Sequence, residues 1–216
     1  MTSEDVTPRL EINGRVLARN TLLNFVGQVI PLAIGVIAIP FIVRGLGTDR
    51  FGLLSLAWVV LGYFAIFDLG LGRATTKYVA EALGKGEDDQ IPQLFWTTVT
   101  IQLILGLLGA IVLLIVTPLL VERVLNIPQG LIKEAKITFY LLATSIPIVL
   151  VSSSFSVVLE ARQRFDLVNS IRVPSHVSTF LMPLVGLVVG LRLPGIIVLI
   201  LCVRFATLVA FNLNPA

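Results

Sequence analysis

The sequence predicts an all-α integral membrane protein, a polytopic bundle of six transmembrane helices. Three observations predict it. Of the 216 residues, 56% are hydrophobic and 13% charged, and mean hydropathy is +0.96. A soluble domain carries about 25% charged residues and cannot hide this much apolar surface from water. The charges fall in short clusters between apolar runs, and crossing a hydrocarbon core of about 30 Å takes roughly 20 helical residues. The runs are continuous rather than alternating, which suits helices and not barrel strands. Disorder is excluded by the same composition. One Cys and one His exclude a disulfide scaffold and leave little for a Cys/His metal cluster.

Residues 1–20 read as a cytosolic N-terminal segment and 21–216 as the bundle. The first span is 21–43. Glu4, Asp5 and Glu11 precede it, and it is too long for a signal-peptide core, so it acts as its own insertion signal. The second span is 51–71. The stretch 74–83 is amphipathic, with Tyr78, Val79, Ala82 and Leu83 on one face, and is expected at the membrane surface. The third and fourth spans are 94–120 and 137–159. The last two, 177–191 and 195–211, are short and joined by Arg192-Leu193-Pro194. They read either as two crossings or as a re-entrant pair.

Lys and Arg in short loops set orientation. With the N-terminus inside, Arg9, Arg15, Arg19, Arg73, Lys77, Lys85, Arg162, Arg164 and Arg172 lie inside. Arg44, Arg50, Arg123, Lys133, Lys136 and Arg192 lie outside. The bias favours a cytosolic N-terminus. The pI of 9.4 follows from loop cations beside lipid headgroups, and nucleic acid is not needed to explain it.

Polar and small residues form stripes at helical spacing. They are Asn20, Asn24, Gln28, Pro31 and Gly35 in the first span, and Thr98, Gln102, Gly106 and Gly109 in the third. Thr138, Ser145, Ser152, Ser156 and Glu160 mark the fourth, and His176, Thr179, Pro183, Gly186 and Gly190 the fifth. Each stripe has two readings, close helix packing or the wall of a polar lumen. Pro31, Pro40, Pro147 and Pro183 fall within spans, as in helices that bend and in membrane helices generally.

Arg204 sits within the last apolar run, where an arginine costs roughly 2.5–3.5 kcal/mol by insertion scales. It faces a protein interior or snorkels to an interface. In an interior it could grip an anionic group through its planar fork. Asp68 and Arg73 bracket Leu69-Gly70-Leu71-Gly72 at the inner end of the second span and read first as an interfacial helix end whose charges meet water or pair with each other. His176 opens the fifth span and reads as structural. No P-loop, G-x-S-x-G, H-E-x-x-H or paired acidic motif occurs, so the chain reads as no enzyme and no ATPase. No metal and no cofactor is implied.

Asn24, the run Pro40-Phe41-Ile42-Val43-Arg44-Gly45-Leu46-Gly47, then Phe51-Gly52 and Phe67-Asp68-Leu69-Gly70-Leu71 form a recognisable series. Ala74 through Lys85-Gly86-Glu87, Leu125-Asn126-Ile127-Pro128 and Glu160-Ala161-Arg162-Gln163-Arg164 extend it. This pattern resembles the N-terminal half of the polysaccharide-biosynthesis, or O-antigen flippase, family of the multidrug/oligosaccharidyl-lipid/polysaccharide exporter superfamily. Arg44, Gly47, Gly52, Asp68 and Gly70 are the matched motif positions. The resemblance implies one six-helix lobe of a two-lobe transporter with 12–14 helices, truncated at the C-terminus. It implies alternating-access translocation of undecaprenyl-pyrophosphate-linked oligosaccharide across the bacterial inner membrane. Cationic side chains would face the pyrophosphate, with Arg44, Arg73 and Arg204 as candidates and Asn24 and Gln28 as polar lining. Implied partners are membrane lipids, the lipid-linked glycan, polysaccharide assembly proteins, and a missing second lobe or a second copy. The rival readings are a cation-coupled small-molecule exporter of the same superfamily and a non-transporting scaffold or inactive fragment. The exporter would need a carboxylate well inside a span, and none lies there as the spans are drawn.

Overall fold

A computed structural model of the chain describes residues 14–66 and 70–213. Its regular structure is helical throughout the described residues. The α-helices are α1 (Gly14–Leu46), α2 (Thr48–Ile66), α3 (Leu71–Lys85), α4 (Ile91–Leu119), α5 (Ile132–Ala161), α6 (Phe165–Val188) and α7 (Leu193–Leu213). A π-helical turn, Leu120–Val124, extends α4. Helices α1, α4, α5, α6 and α7 are long and apolar enough to cross a membrane. Helix α2, with 19 residues, is the sixth long helix.

Short connections make successive long helices antiparallel. Gly47 joins α1 to α2 at φ 80°, a left-handed conformation that costs glycine little. Gly70 does the same before α3, at φ 78°. Helix α5 is the hub, packing on α2, α3, α4 and α7, while α1 lies along α6. Small residues permit these approaches, as expected where lipid gives helices no hydrophobic reason to associate. A Cβ on Gly106 of α4 would lie 2.6 Å from the Cα of Pro147 in α5. On α1, Gly27 abuts Asn169 and Val173, Gly35 abuts Phe180, and Gly45 abuts Leu187 of α6.

The main apolar core lies at one end. Ile42, Leu54, Phe139, Leu142, Ile146 and Ile197 are fully or nearly fully buried there. They come from the C-terminal part of α1, the N-terminal parts of α2, α5 and α7, and helices that reach the same end. At the other end, where α1 and α6 start and α5 and α7 finish, the described residues form only small apolar clusters, such as Leu159, Val168 and Phe211. Among the described residues, the bundle is therefore sealed at one end and looser at the other. The partly polar ends of α1, α5, α6 and α7 meet in that looser half.

Several boundaries differ from the sequence expectation. Helix α6 starts at Phe165, not 177, and runs 24 residues, with Pro174 inside it. With α7 at 21 residues, both are long enough for full crossings and neither is a re-entrant half-helix. Hydropathy missed the start of α6 because Asn169, Arg172 and His176 lie in its first half, and their polar groups face a cleft rather than lipid. Helix α1 begins at Gly14, inside the segment expected to precede the first span. Leu71 opens α3 rather than closing α2. On α3 the buried residues are Gly72, Thr75, Val79 and Ala82, whereas Tyr78 is exposed. Thr75 faces inward because its hydroxyl meets that of Thr98 in α4 at 2.8 Å. On the outer face of α3, Lys85 donates to Glu81 at 2.7 Å. That hydrogen bond, with the nearby charge, holds the Glu81 carboxyl below the usual carboxylate range and the Lys85 ammonium above its usual one.

Candidate functional site

Besides a cavity of about 480 Å³ beside Phe95, Trp96 and Arg162, the looser end holds two adjoining cavities that share Arg172 and His176. One, of about 210 Å³, lies between α1, α5 and α6 and includes Asn24, Gln28, Glu160 and Asn169. The other, of about 280 Å³, lies between α5, α6 and α7 and includes Ser152, Ser153, Ser156, Arg204 and Thr207. Together they form one polar cleft walled by four helices. A larger groove of about 590 Å³ runs between residues 34–45 of α1 and 181–188 of α6. Its lining side chains are all apolar, so it offers no chemistry.

Helical spacing places each wall. Ser152, Ser153 and Ser156 lie within about one turn of α5, and Glu160 follows a turn later, so all four reach the cleft. Asn169, Arg172 and His176 repeat at three and four residues on α6 for the same reason. Asn169 donates from Nδ2 to Asn24 Oδ1 at 3.0 Å, tying α6 to α1. Ser153 Oγ donates to Gln102 Oε1 at 2.7 Å, tying α5 to α4. The hydroxyls of Ser152 and Thr207 donate to the carbonyls of Ile148 and Val203, which satisfies their protons and leaves lone pairs.

Charge dominates the cleft. Arg172 lies about 10 Å along α6 from Phe165 at 1.5 Å per residue. Its Nη2 donates to Glu160 Oε1 at 2.6 Å and to Ser156 Oγ at 2.9 Å. The pair is partly exposed, with side chains 40% and 26% accessible. Arg204 lies at mid-helix in α7, and its Nε is buried without a hydrogen-bond partner among the described residues. Two guanidiniums, Arg172 and Arg204, thus face the same cavity, and guanidinium groups are suited to hydrogen-bonding anionic oxygens.

The cleft gathers some expected residues and not others. Asn24, Gln28 and Arg204 line it, and Arg204 faces the protein interior. Arg44 is exposed in the last turn of α1, about 30 Å along the helix from Asn24. Arg73 is exposed on α3 and lines neither cavity. Gly47 and Gly70 make the left-handed corners. Gly52 borders a separate cavity of about 400 Å³ with Asp49 and Asn126 at the sealed end. Asp68 lies outside the described residues. Sequence reasoning missed Arg172 and Asn169 by assigning them to a loop, and placed His176 at a helix start when it is the midpoint of α6. The signal was present as the Asn169, Arg172, His176 periodicity, in register with the striped face of α5.

Most of this framework falls within a known family. Residues 26–190 match the MatE family model. The chain belongs to the MatE family. Among curated relatives, a Shigella flexneri protein named "Putative O-antigen transporter" is 29% identical over 153 residues, covering 71% of this chain and 36% of that protein. The "Uncharacterized membrane protein EpsK" of Bacillus subtilis (strain 168) is 25% identical over 99 residues, covering 46% of this chain and 19% of that protein. The MatE chain thus spans about a third or less of the curated relatives it matches. No solved structure matches it. The matched region runs from within α1 to the end of α6 and includes Arg172 but not Arg204, so the guanidinium of α7 lies outside the family match.

Proposed function

We propose that this chain is one lobe of a transporter that carries a lipid-linked oligosaccharide across the bacterial cytoplasmic membrane. One observation carries the reading: Arg172, His176 and Arg204 line a cleft within spanning helices, at the end away from the main apolar core of the described residues. Cations at membrane depth are costly unless they face water, a partner or a ligand. A pyrophosphate joined to a glycan needs such a groove, because neither part crosses hydrocarbon unaided. The prenyl tail can stay in lipid. Arg204 and Arg172 bind the pyrophosphate, and Asn24 and Gln28 bind sugar hydroxyls. The excess of loop cations, counted without Arg172, supports a cytosolic side for this end of the cleft. The "O-antigen transporter" name of the Shigella flexneri relative supports the same substrate class.

Alternating access needs two bodies around a central site, and six long helices supply one wall. The second wall is another lobe or a second copy of this chain, and the chain acts as a transporter rather than an enzyme. The test is equilibrium binding to the purified chain in nanodiscs. Undecaprenyl pyrophosphate should bind and undecaprenol should not. Arg204→Ala should weaken binding at least tenfold. Equal binding of the two lipids would overturn the reading.

A further inference from the structure

We infer that Glu160 is an internal stand-in for the substrate's anionic group, holding Arg172 until a phosphate displaces it. The inference rests on the anion-binding reading of the cleft and adds a residue that sets its affinity.

Of the two guanidiniums that border the second cavity, Arg172 is the one held by a carboxylate among the described residues. Its Nη2 meets Glu160 Oε1 at 2.6 Å, and Ser156 Oγ at 2.9 Å completes the contact. Arg204 has no acidic partner among the described residues, and its Nε is orphaned. Arg172 and Arg204 border one cavity of about 280 Å³, whereas Glu160 borders the neighbouring one. A ligand entering the second cavity therefore meets one free guanidinium and one pre-engaged guanidinium. Binding to the first is direct. Binding to the second is an exchange in which a phosphate oxygen replaces the Glu160 carboxylate.

The exchange is feasible because neither partner is deeply buried. Arg172 is 40% and Glu160 26% accessible at the side chain, so water can solvate a released carboxylate. Such a pair contributes little net stability, and a dianionic phosphate outcompetes a monoanionic carboxylate for a guanidinium fork. Ser156 stays with Arg172 during the exchange, because its own proton is donated to the Ser153 carbonyl at 2.9 Å and its lone pairs remain available. The resting pair also screens the cleft. Weak monovalent anions such as chloride cannot displace Glu160, so the second cation answers only to a multivalent group.

The experiment is calorimetric titration of the purified chain with inorganic pyrophosphate and, separately, chloride. Glu160→Gln keeps the shape and removes the charge. It should tighten pyrophosphate binding about three- to tenfold and make chloride binding measurable. Glu160→Ala should shift affinity in the same direction, which guards against a folding defect in one variant. In an Arg172→Ala background, Glu160→Gln should no longer tighten binding. If Glu160→Gln and Glu160→Ala leave pyrophosphate affinity unchanged or weaken it while Arg204→Ala still weakens it, the stand-in role is wrong and the anion site survives. If Arg204→Ala and Arg172→Ala both leave pyrophosphate affinity unchanged, the anion site itself is wrong.

Discussion

Arg50 and Glu134 clasp the sealed end of the bundle. Arg50 Nε lies 3.1 and 3.2 Å from the two carboxylate oxygens of Glu134, and Nη2 lies 3.3 Å from one of them. The same carboxylate accepts the backbone N–H of Leu193 at 3.1 Å. One side chain thus ties the starts of α2, α5 and α7 together. Glu134 is 10% accessible and Arg50 37%.

Glu134→Ala removes both contacts and leaves a guanidinium and an N–H without their acceptor. The loss should be about 2 kcal/mol, below the range for a fully buried pair because Arg50 meets solvent. Glu134→Gln keeps an acceptor for Leu193 and should cost about half as much. Detergent unfolding of the purified variants measures both. Equal stability of wild type and Glu134→Ala would remove the clasp from the account.

Gly106 packs its backbone on Pro147. A methyl there would sit 2.6 Å from a backbone carbon that cannot swing aside. Gly106→Ala should therefore destabilise the α4–α5 contact by about 1–3 kcal/mol. Gly62, where a Cβ would have nothing within 4 Å among the described residues, is the control. Gly62→Ala should be neutral or stabilising by up to about 1 kcal/mol. A thermal unfolding comparison that ranked the two alike would contradict the packing.

The two tryptophans report on lipid contact. Trp96, near the start of α4, is 62% accessible. Trp58 is half-buried between the rings of Phe51 and Phe180. In vesicles containing brominated lipid, a Trp58→Phe variant that retains Trp96 should be strongly quenched. A Trp96→Phe variant that retains Trp58 should be quenched much less. Reversed quenching would place α4, rather than α2, in the protein interior.

The Glu81–Lys85 pair gives a pH dependence. The carboxyl of Glu81 is held low by its hydrogen bond to Lys85, so its contribution is present above the unfolded carboxylate range and lost as pH falls through the folded value. The ammonium of Lys85 is raised by the same bond, so its contribution is present below the ordinary lysine range and lost as pH rises through the folded value. The effect is small because both groups face solvent. The difference in Tm between wild type and Lys85→Met, measured at neutral pH, should shrink at pH 3 and in high salt. A difference unchanged by acid would assign it to packing of the lysine stem.

Much of the cleft was legible because helical period alone brings residues onto one face. Asn24 and Gln28 share a stripe on α1, and Ser152, Ser156 and Glu160 share one on α5. The stripe on α4 had the other meaning. Gln102 is fully buried, and Thr98, Gln102 and Gly106 contact α3 and α5 rather than a cavity. Period shows that residues face one way; it does not show whether a helix or water stands opposite. Arg44 and Arg73 illustrate the same gap, since a cation's place in a motif does not tell which end of a helix a ligand reaches.

The sequence by itself determined the solvent of this protein, its helical class and the mid-helix place of Arg204. Those follow from local quantities: hydropathy over a bilayer's thickness and helical rise. The tertiary structure alone decided where α6 begins and that Arg172 belongs inside it. It also decided that, among the described residues, one end of the bundle is packed more closely than the other, and that Glu160 meets Arg172. Each of these depends on what an opposing helix supplies. A run of polar residues is a loop if water solvates it and a helix wall if a neighbouring helix and a cleft do.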